Sequence, residues 1–184
     1  MKRVFDLFFA VVGILPAALV IGVLVLLIQR GSPGPGLLRQ ARVGRDGRIF
    51  TCLKLRTMYA GTANRPSHEV GRAAVTPIGA VLRRTKLDEL PQLINILRGE
   101  MSFVGPRPCL PTQVALVEAR RRYGVAHLRP GITGVSQVAG VDMSNPEKLA
   151  ALDATYLGGM TVLHDLQLIL RTVFGSGRGD RTGI

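Results

Sequence analysis

Residues 4–28 read VFDLFFAVVGILPAALVIGVLVLLI, an apolar run interrupted by one acid, Asp6, and by a proline at its middle, Pro16. A helix of roughly 20 apolar residues spans a hydrocarbon core, so this stretch is long enough to enter a membrane. Its flanks decide how. Lys and Arg are enriched on the cytoplasmic side of membrane segments; here Lys2 and Arg3 precede the run, and Arg30, Arg39, Arg42, Arg45 and Arg48 follow it. Both ends therefore belong on one side. Proline lacks a backbone N–H and its ring clashes with the preceding turn. The expectation is a break at Pro16 that divides residues 1–30 into two arms too short to span, giving a re-entrant hairpin. The carbonyls freed near Ile14 and Leu15 then need partners at membrane depth. The competing reading is a single span kinked at Pro16. A cleaved signal peptide fits less well, because the run is too long and no small-residue cleavage site follows it.

The 184 residues carry a net charge of +12. Between residues 30 and 56, seven cations face one acid, Asp46. Such a surface attracts anions, and beside a membrane segment the fitting partners are anionic inner-leaflet lipids or a phosphorylated substrate. Nucleic acid is disfavoured: the chain has no Trp, only 3 Tyr, and no stacking or groove-reading motif. Cys52 and Cys109 stand alone, which suggests a reducing compartment and no disulfide framework. His68, His127 and His164 are scattered, so a His/Cys metal site is not expected.

Beyond the apolar run, the periodicities predict an α+β fold, mainly helical. Residues 31–36 (GSPGPG) form a turn-rich linker. Asp46-Gly47 lies between two extended stretches as a small β-hairpin signal, and Lys54 and Arg56, two apart, project from one face of its outgoing strand. Residues 59–75 read as a mobile loop. Thr76-Pro77 starts a helix, and a second is expected from Thr85 to Leu97. Helices follow at Val114–Tyr123, Pro146–Leu157 and Leu163–Phe174. In the last, Leu163, Leu166, Leu170 and Val173 recur at helical spacing, which suits an amphipathic interfacial helix or an ordinary core helix. The chain thus divides into residues 1–30 in the membrane, a cytosolic membrane-associated domain at 31–175, and a flexible tail at 176–184.

Asp88-Glu89 is conspicuous because acids are scarce and because Arg83, Arg84 and Lys86 crowd it. Such a cluster suits phosphate chemistry. A carboxylate can attack phosphorus, a neighbouring carboxylate can hold Mg²⁺, and Arg matches phosphate oxygens with paired hydrogen bonds. Against this, Thr85-Lys86-Leu87-Asp88 matches a capping box, which would make Asp88 a helix-start residue. Pro91 argues for a bend that exposes the carboxylates. Spacing alone leaves both readings open. Arg107, between two prolines, sits on a stiff backbone that aims it at little entropy cost.

Together these stretches resemble the small monotopic phosphoglycosyl transferases of the bacterial sugar transferase family. The resemblance covers nearly the whole chain: residues 2–6, the exit at 32–35, Lys54-Leu55-Arg56-Thr57-Met58, Leu87-Asp88-Glu89-Leu90-Pro91-Gln92-Leu93, residues 101–108 and Arg129-Pro130-Gly131-Ile132-Thr133-Gly134. It implies transfer of a phosphosugar from a UDP-sugar to undecaprenyl phosphate, releasing UMP, at the cytoplasmic face of a bacterial inner membrane. It makes Asp88 the nucleophile of a covalent phosphosugar enzyme, with Glu89 beside it for Mg²⁺. It casts Lys54, Arg56, Arg83, Arg107 and Gln137 as substrate or phosphate ligands, and downstream glycosyltransferases as partners. It further implies a minimal member, without the additional transmembrane helices of larger relatives. Three positions depart from the family pattern: Leu15 stands where Ser is frequent before Pro16, Lys86 where Ser is common, and Val135 where an aromatic is common. The rival reading is a non-catalytic basic adaptor at the membrane surface.

Overall fold

A computed structural model describes residues 1–62 and 72–175. The apolar run lies in one helix, α1 (Lys2–Gly31), and Pro16 lies inside it. The expected break at Pro16 is therefore corrected: helical backbone continues through it. Proline forfeits a single hydrogen bond in the ladder, and apolar helices bear that loss where neighbouring elements pack alongside. Here they do. Asp6, Ala10, Ala17 and Ile28 are buried, with Ile14, Ile21 and Leu24 packed beside them, forming one stripe along α1 that faces the rest of the protein. The opposite face, including Phe8, Val12, Leu15, Leu19, Val23 and Leu26, is exposed.

Both ends of α1 dock on the same body. At the start, Lys2 Nζ lies 2.5 Å from Asp165 Oδ2. Asp6, an acid otherwise costly in an apolar helix, accepts bonds from Ser102 Oγ (3.1 Å) and Phe103 N (3.2 Å). At the end, Ile28 packs with Leu55 and Leu82. Gly36 presses so closely on Val25 that a Cβ would lie 3.1 Å from its backbone.

The hairpin is as expected: β1 (Leu37–Val43) pairs antiparallel with β2 (Ile49–Leu55), Val43 opposite Ile49. Asp46 (φ 55) and Gly47 (φ 77) supply the left-handed backbone of its turn. Met58 and Val75 form a bridge that closes the base of the following loop; residues 63–71 of the loop expected at 59–75 lie outside the described residues, as does the tail expected at 176–184. Helix α2 (Pro77–Thr85) begins where Thr76 Oγ1 accepts from Gly79 N at 3.0 Å.

The single helix expected from Thr85 to Leu97 is not formed. Thr85 ends α2, Lys86 turns left-handed (φ 59), residues 87–89 make one 3-10 turn, and α3 (Gln92–Leu97) starts after Pro91. Lys86 gives the reason: its left-handed backbone ends α2 five residues before Pro91, and a right-handed helix cannot pass through it.

Strand β3 (Ser102–Val104) runs parallel to β4 (Gly131–Thr133), joining two distant glycine-containing stretches. Their backbones nearly touch: a Cβ on Gly131 would lie 2.1 Å from Gly105 N. Helices α4 (Val114–Arg122), α5 (Val135–Val138) and α6 (Pro146–Ala154) close the far side.

Helix α7 (Val162–Val173) turns Asp165 and Leu168 inward. Its apolar stripe faces out, with Leu163 67% and Val173 71% exposed. Of its two readings, the interfacial helix fits this placement and the core helix does not.

Candidate active site

Three segments far apart in sequence converge on Glu89. The 3-10 turn after α2 carries Asp88 and Glu89, both buried. Strand β2 delivers Lys54, whose Nζ lies 3.0 Å from Glu89 Oε1. The segment after β3 delivers Arg107, whose Nη2 lies 3.1 Å from the same oxygen. A buried carboxylate is costly unless paired, and here one oxygen meets two cations.

The capping-box reading of Asp88 does not hold. Thr85 Oγ1 donates backward, to the carbonyls of Val81 (2.9 Å) and Leu82 (3.2 Å), and no side chain caps the turn.

Asn95 fixes the turn against the strand. Its Oδ1 accepts from Leu53 N (3.0 Å) and its Nδ2 donates to Thr51 O (2.7 Å), so one amide occupies the edge of β2 opposite β1. A second bond from Nδ2 reaches Glu100 Oε2 at 2.6 Å. With these bonds α3, and Glu89 just before it, is locked in register with Lys54.

Arg107 rides on a strap that has lost two donors, because prolines 106 and 108 have no N–H. Four successive carbonyls hold it instead. Pro106 O accepts from Gly131 N (2.9 Å), Arg107 O from Arg120 Nη1 (2.8 Å), Pro108 O from Arg42 Nη1 (3.0 Å) and Cys109 O from Val43 N (2.9 Å).

The other expected ligands have partners of their own. Arg83 Nε donates to Thr57 Oγ1 at 2.9 Å, and its Nη1 is buried without a hydrogen-bond partner. Gln137 donates to Ile132 O at 2.7 Å, and its Oε1 is likewise buried and unpartnered. Buried polar atoms of this kind are uncommon in a finished fold. Arg56 is tied to the linker. Its guanidinium donates to the carbonyls of Ser32, Pro33, Gly34 and Pro35, which engages four of its five N–H groups on the linker leaving α1. Arg56 N bonds Gly36 O at 2.8 Å, one rung past Leu55, so Arg56 sits beside the linker that enters β1. Pro16 lies in α1.

Sequence reasoning passed over Asn95, Arg42, Arg120 and Asp153. Asn95 had a visible signal, a lone amide in the apolar stretch Leu93-Ile94-Asn95-Ile96-Leu97. The others had none, because their partners are backbone carbonyls or residues distant in sequence. Beside the cluster, burial pushes the Cys52 thiol up despite Lys54 and Arg42, so it is poorly suited to act as a nucleophile.

No group of three or more His, Cys, Asp or Glu positioned for a metal occurs among the described residues. Mg²⁺ commonly uses one or two carboxylates and takes its remaining oxygens from substrate phosphates and water. The adjacent pair Asp88 and Glu89 fits that donor set.

Known proteins resemble this chain along nearly its whole length. The family model described as bacterial sugar transferase matches residues 1–178. The UDP-glucose:undecaprenyl-phosphate glucose-1-phosphate transferase of Caulobacter vibrioides is 38% identical, over 94% of this chain and 68% of the relative. The exopolysaccharide production protein ExoY of Sinorhizobium fredii is 32% identical, over 94% of this chain and 83% of its own. An Escherichia coli protein named as Caulobacter's is 36% identical, over 95% of this chain but only 39% of its own length. The chain belongs to the bacterial sugar transferase family.

Proposed function

We propose that this chain transfers a phosphosugar from a UDP-sugar to undecaprenyl phosphate, releasing UMP and leaving an undecaprenyl-diphosphosugar. The observation that carries this reading is the buried Asp88-Glu89 turn, joined to Lys54 and Arg107 from separate segments, on a body along which an apolar helix is docked at both ends. The names of the relatives supply the substrate class.

In the first step an Asp88 carboxylate oxygen attacks the sugar-bearing phosphorus. The bond from that phosphorus to the bridging diphosphate oxygen breaks, and UMP leaves with the electron pair. Asp88 then carries the phosphosugar as an acyl phosphate. In the second step an oxygen of the lipid phosphate attacks the same phosphorus and the Asp88 carboxylate leaves. Lys54 and Arg107 neutralise the phosphoryl oxygens, moving from Glu89 toward the diphosphate as it enters. Asp88 and Glu89 would hold Mg²⁺, which, when bound, offsets the charge of the diphosphate.

The docking of α1 supports a reading of its topology. A 30-residue helix is about 45 Å long, and a helix crossing the bilayer would carry one end away from the body to which both ends are attached. We therefore read α1 as re-entrant, bent at Pro16 without loss of helical backbone. Its exposed face lies in the inner leaflet, on the cytoplasmic side, with anionic lipids near the basic flank. The exposed stripe of α7 lies at the same interface, tied to the start of α1 where Asp165 receives both Lys2 and the Tyr156 hydroxyl. Such an anchor holds the carboxylates at the level of a lipid phosphate, which lowers the entropy cost of meeting it.

The test is UMP release by detergent-purified protein from a panel of UDP-sugars, with Mg²⁺ and undecaprenyl phosphate, beside Asp88→Asn. Lipid- and Asp88-dependent UMP with at least one sugar is expected. Wild-type levels of UMP from Asp88→Asn would reject the assignment.

A further inference from the structure

The strap that carries Arg107 is held through four successive carbonyls, and the bond to Arg107's own carbonyl is the one supplied by a deeply buried side chain. Arg120 of α4 is 7% exposed. Its Nη1 donates to Arg107 O at 2.8 Å and its Nη2 to Asp153 Oδ2 at 2.9 Å. The other oxygen of Asp153 accepts from Ser136 Oγ at 2.6 Å. Asp153 and Ser136 are themselves buried, and Ser136 precedes Gln137 in α5.

Burying an ion pair is unfavourable unless its geometry and its remaining hydrogen bonds compensate. Two apolar side chains of similar volume would hold α4 against α6 as well. They would not donate to a carbonyl. Asp153 fixes the orientation of the guanidinium, and the guanidinium fixes the peptide from which the Arg107 side chain departs. Arg42, from β1, holds the next carbonyl along. With the backbone fixed at both places, the guanidinium of Arg107 is delivered to Glu89 with few alternatives.

We propose that Arg120, oriented by Asp153, is a positioning residue for Arg107: it acts on phosphosugar transfer only through the placement of that side chain. This rests on the reading of the Asp88 cluster as the phosphate site. Displacement of a binding group by about 1 Å can cost about 100-fold in rate, and that sets the scale expected here.

The experiment compares wild type, Arg120→Lys, Arg107→Ala, the double variant, and Asp153→Asn with and without Arg107→Ala. UMP release is followed at single turnover with a donor that wild type accepts, where losses of several orders of magnitude stay measurable. Thermal melting is recorded for each protein, and Asp88→Asn serves as the control. Lysine offers a compact charge that cannot bridge Asp153 and the carbonyl as a planar fork does. Arg120→Lys is expected to slow release about 10- to 100-fold alone, but to add under about threefold once Arg107 is Ala, the non-additivity expected of residues acting in series. Asp153→Asn shows the same pattern with a smaller loss, and decides the matter if Arg120→Lys does not fold. The fall in melting temperature is expected to be equal in both backgrounds. Equal rate losses with and without Arg107, or undiminished activity in Arg120→Lys, would overturn the proposal. Failure of the underlying reading is separately visible, as a wild type that releases no UMP or an active Asp88→Asn, and the proposal falls with it.

Discussion

Replacing Arg56 by Lys separates a structural arginine from a phosphate ligand. The guanidinium bonds four carbonyls of the linker, at 2.9 Å (Ser32), 2.9 Å (Pro33), 3.2 Å (Gly34) and 2.7 Å (Pro35). An ammonium keeps the charge but is a point donor. The carbonyl of Ser32 is the enclosed acceptor of the set, and leaving a buried acceptor unmade costs about 1–3 kcal/mol. The carbonyls at the rim regain water, so each contributes about 0.5–1.5 kcal/mol. Lysine's three donors keep two of the rim carbonyls, so the Ser32 acceptor and one rim bond are lost, a total of about 3 kcal/mol, which for a chain of this size lowers Tm by about 6–12 °C. The assay is far-UV circular dichroism melting in detergent, paired with calorimetric titration of UDP. The structure predicts the drop in Tm with nucleotide affinity within about twofold of wild type, the range of a side chain that touches no ligand. An unchanged Tm with tenfold weaker UDP binding would show that Arg56 is a phosphate ligand and that its bonds to the linker do not matter.

Asp6→Leu should destabilise the protein by about 2–4 kcal/mol in the same melt, because Ser102 Oγ and Phe103 N both lose their acceptor; a neutral result would mean that the start of α1 is not docked as described. Leu163→Ser with Leu170→Ser should weaken binding to anionic liposomes, since both side chains are exposed on α7, while leaving Tm in detergent nearly unchanged; unaltered liposome binding would remove α7 from the interface. The Tyr156 hydroxyl is pushed well above the ordinary phenol range by burial and by Asp165. Below about pH 10 the phenol is neutral in folded and unfolded chains alike, whereas above it the unfolded phenol ionises first, so stability falls as pH rises. Tyr156→Phe should flatten that part of the stability profile, and an identical slope in both proteins would refute the assignment.

The apolar run, the hairpin turn at Asp46-Gly47 and the start of α2 at Thr76-Pro77 were legible because each depends on residues adjacent in sequence. Asp88 and Glu89 were legible as a pair, but their surroundings were ambiguous: Thr85 and Asp88 satisfy the spacing of a capping box, and only the left-handed Lys86 and the hydroxyl of Thr85 turned backward show that no cap forms. Pro16 was overread. One missing N–H suffices to bend a helix but not to end one that is supported along its whole length. Arg56 was legible only as a basic strand residue, since strand alternation gives the side on which a residue emerges and not what waits there. Arg120 and Asp153, 33 residues apart, and Lys54 and Glu89, 35 apart, meet only because tertiary packing brings their elements together. No local pattern records such a meeting.

The most direct measurement is the mass of the intact protein after incubation with an accepted UDP-sugar and Mg²⁺ in the absence of lipid acceptor. Addition of one phosphosugar is predicted, on the peptide containing Asp88, lost again when undecaprenyl phosphate is added and absent from Asp88→Asn. UMP release that requires the lipid from the outset, with no adduct at any time, would contradict Asp88 as the nucleophile.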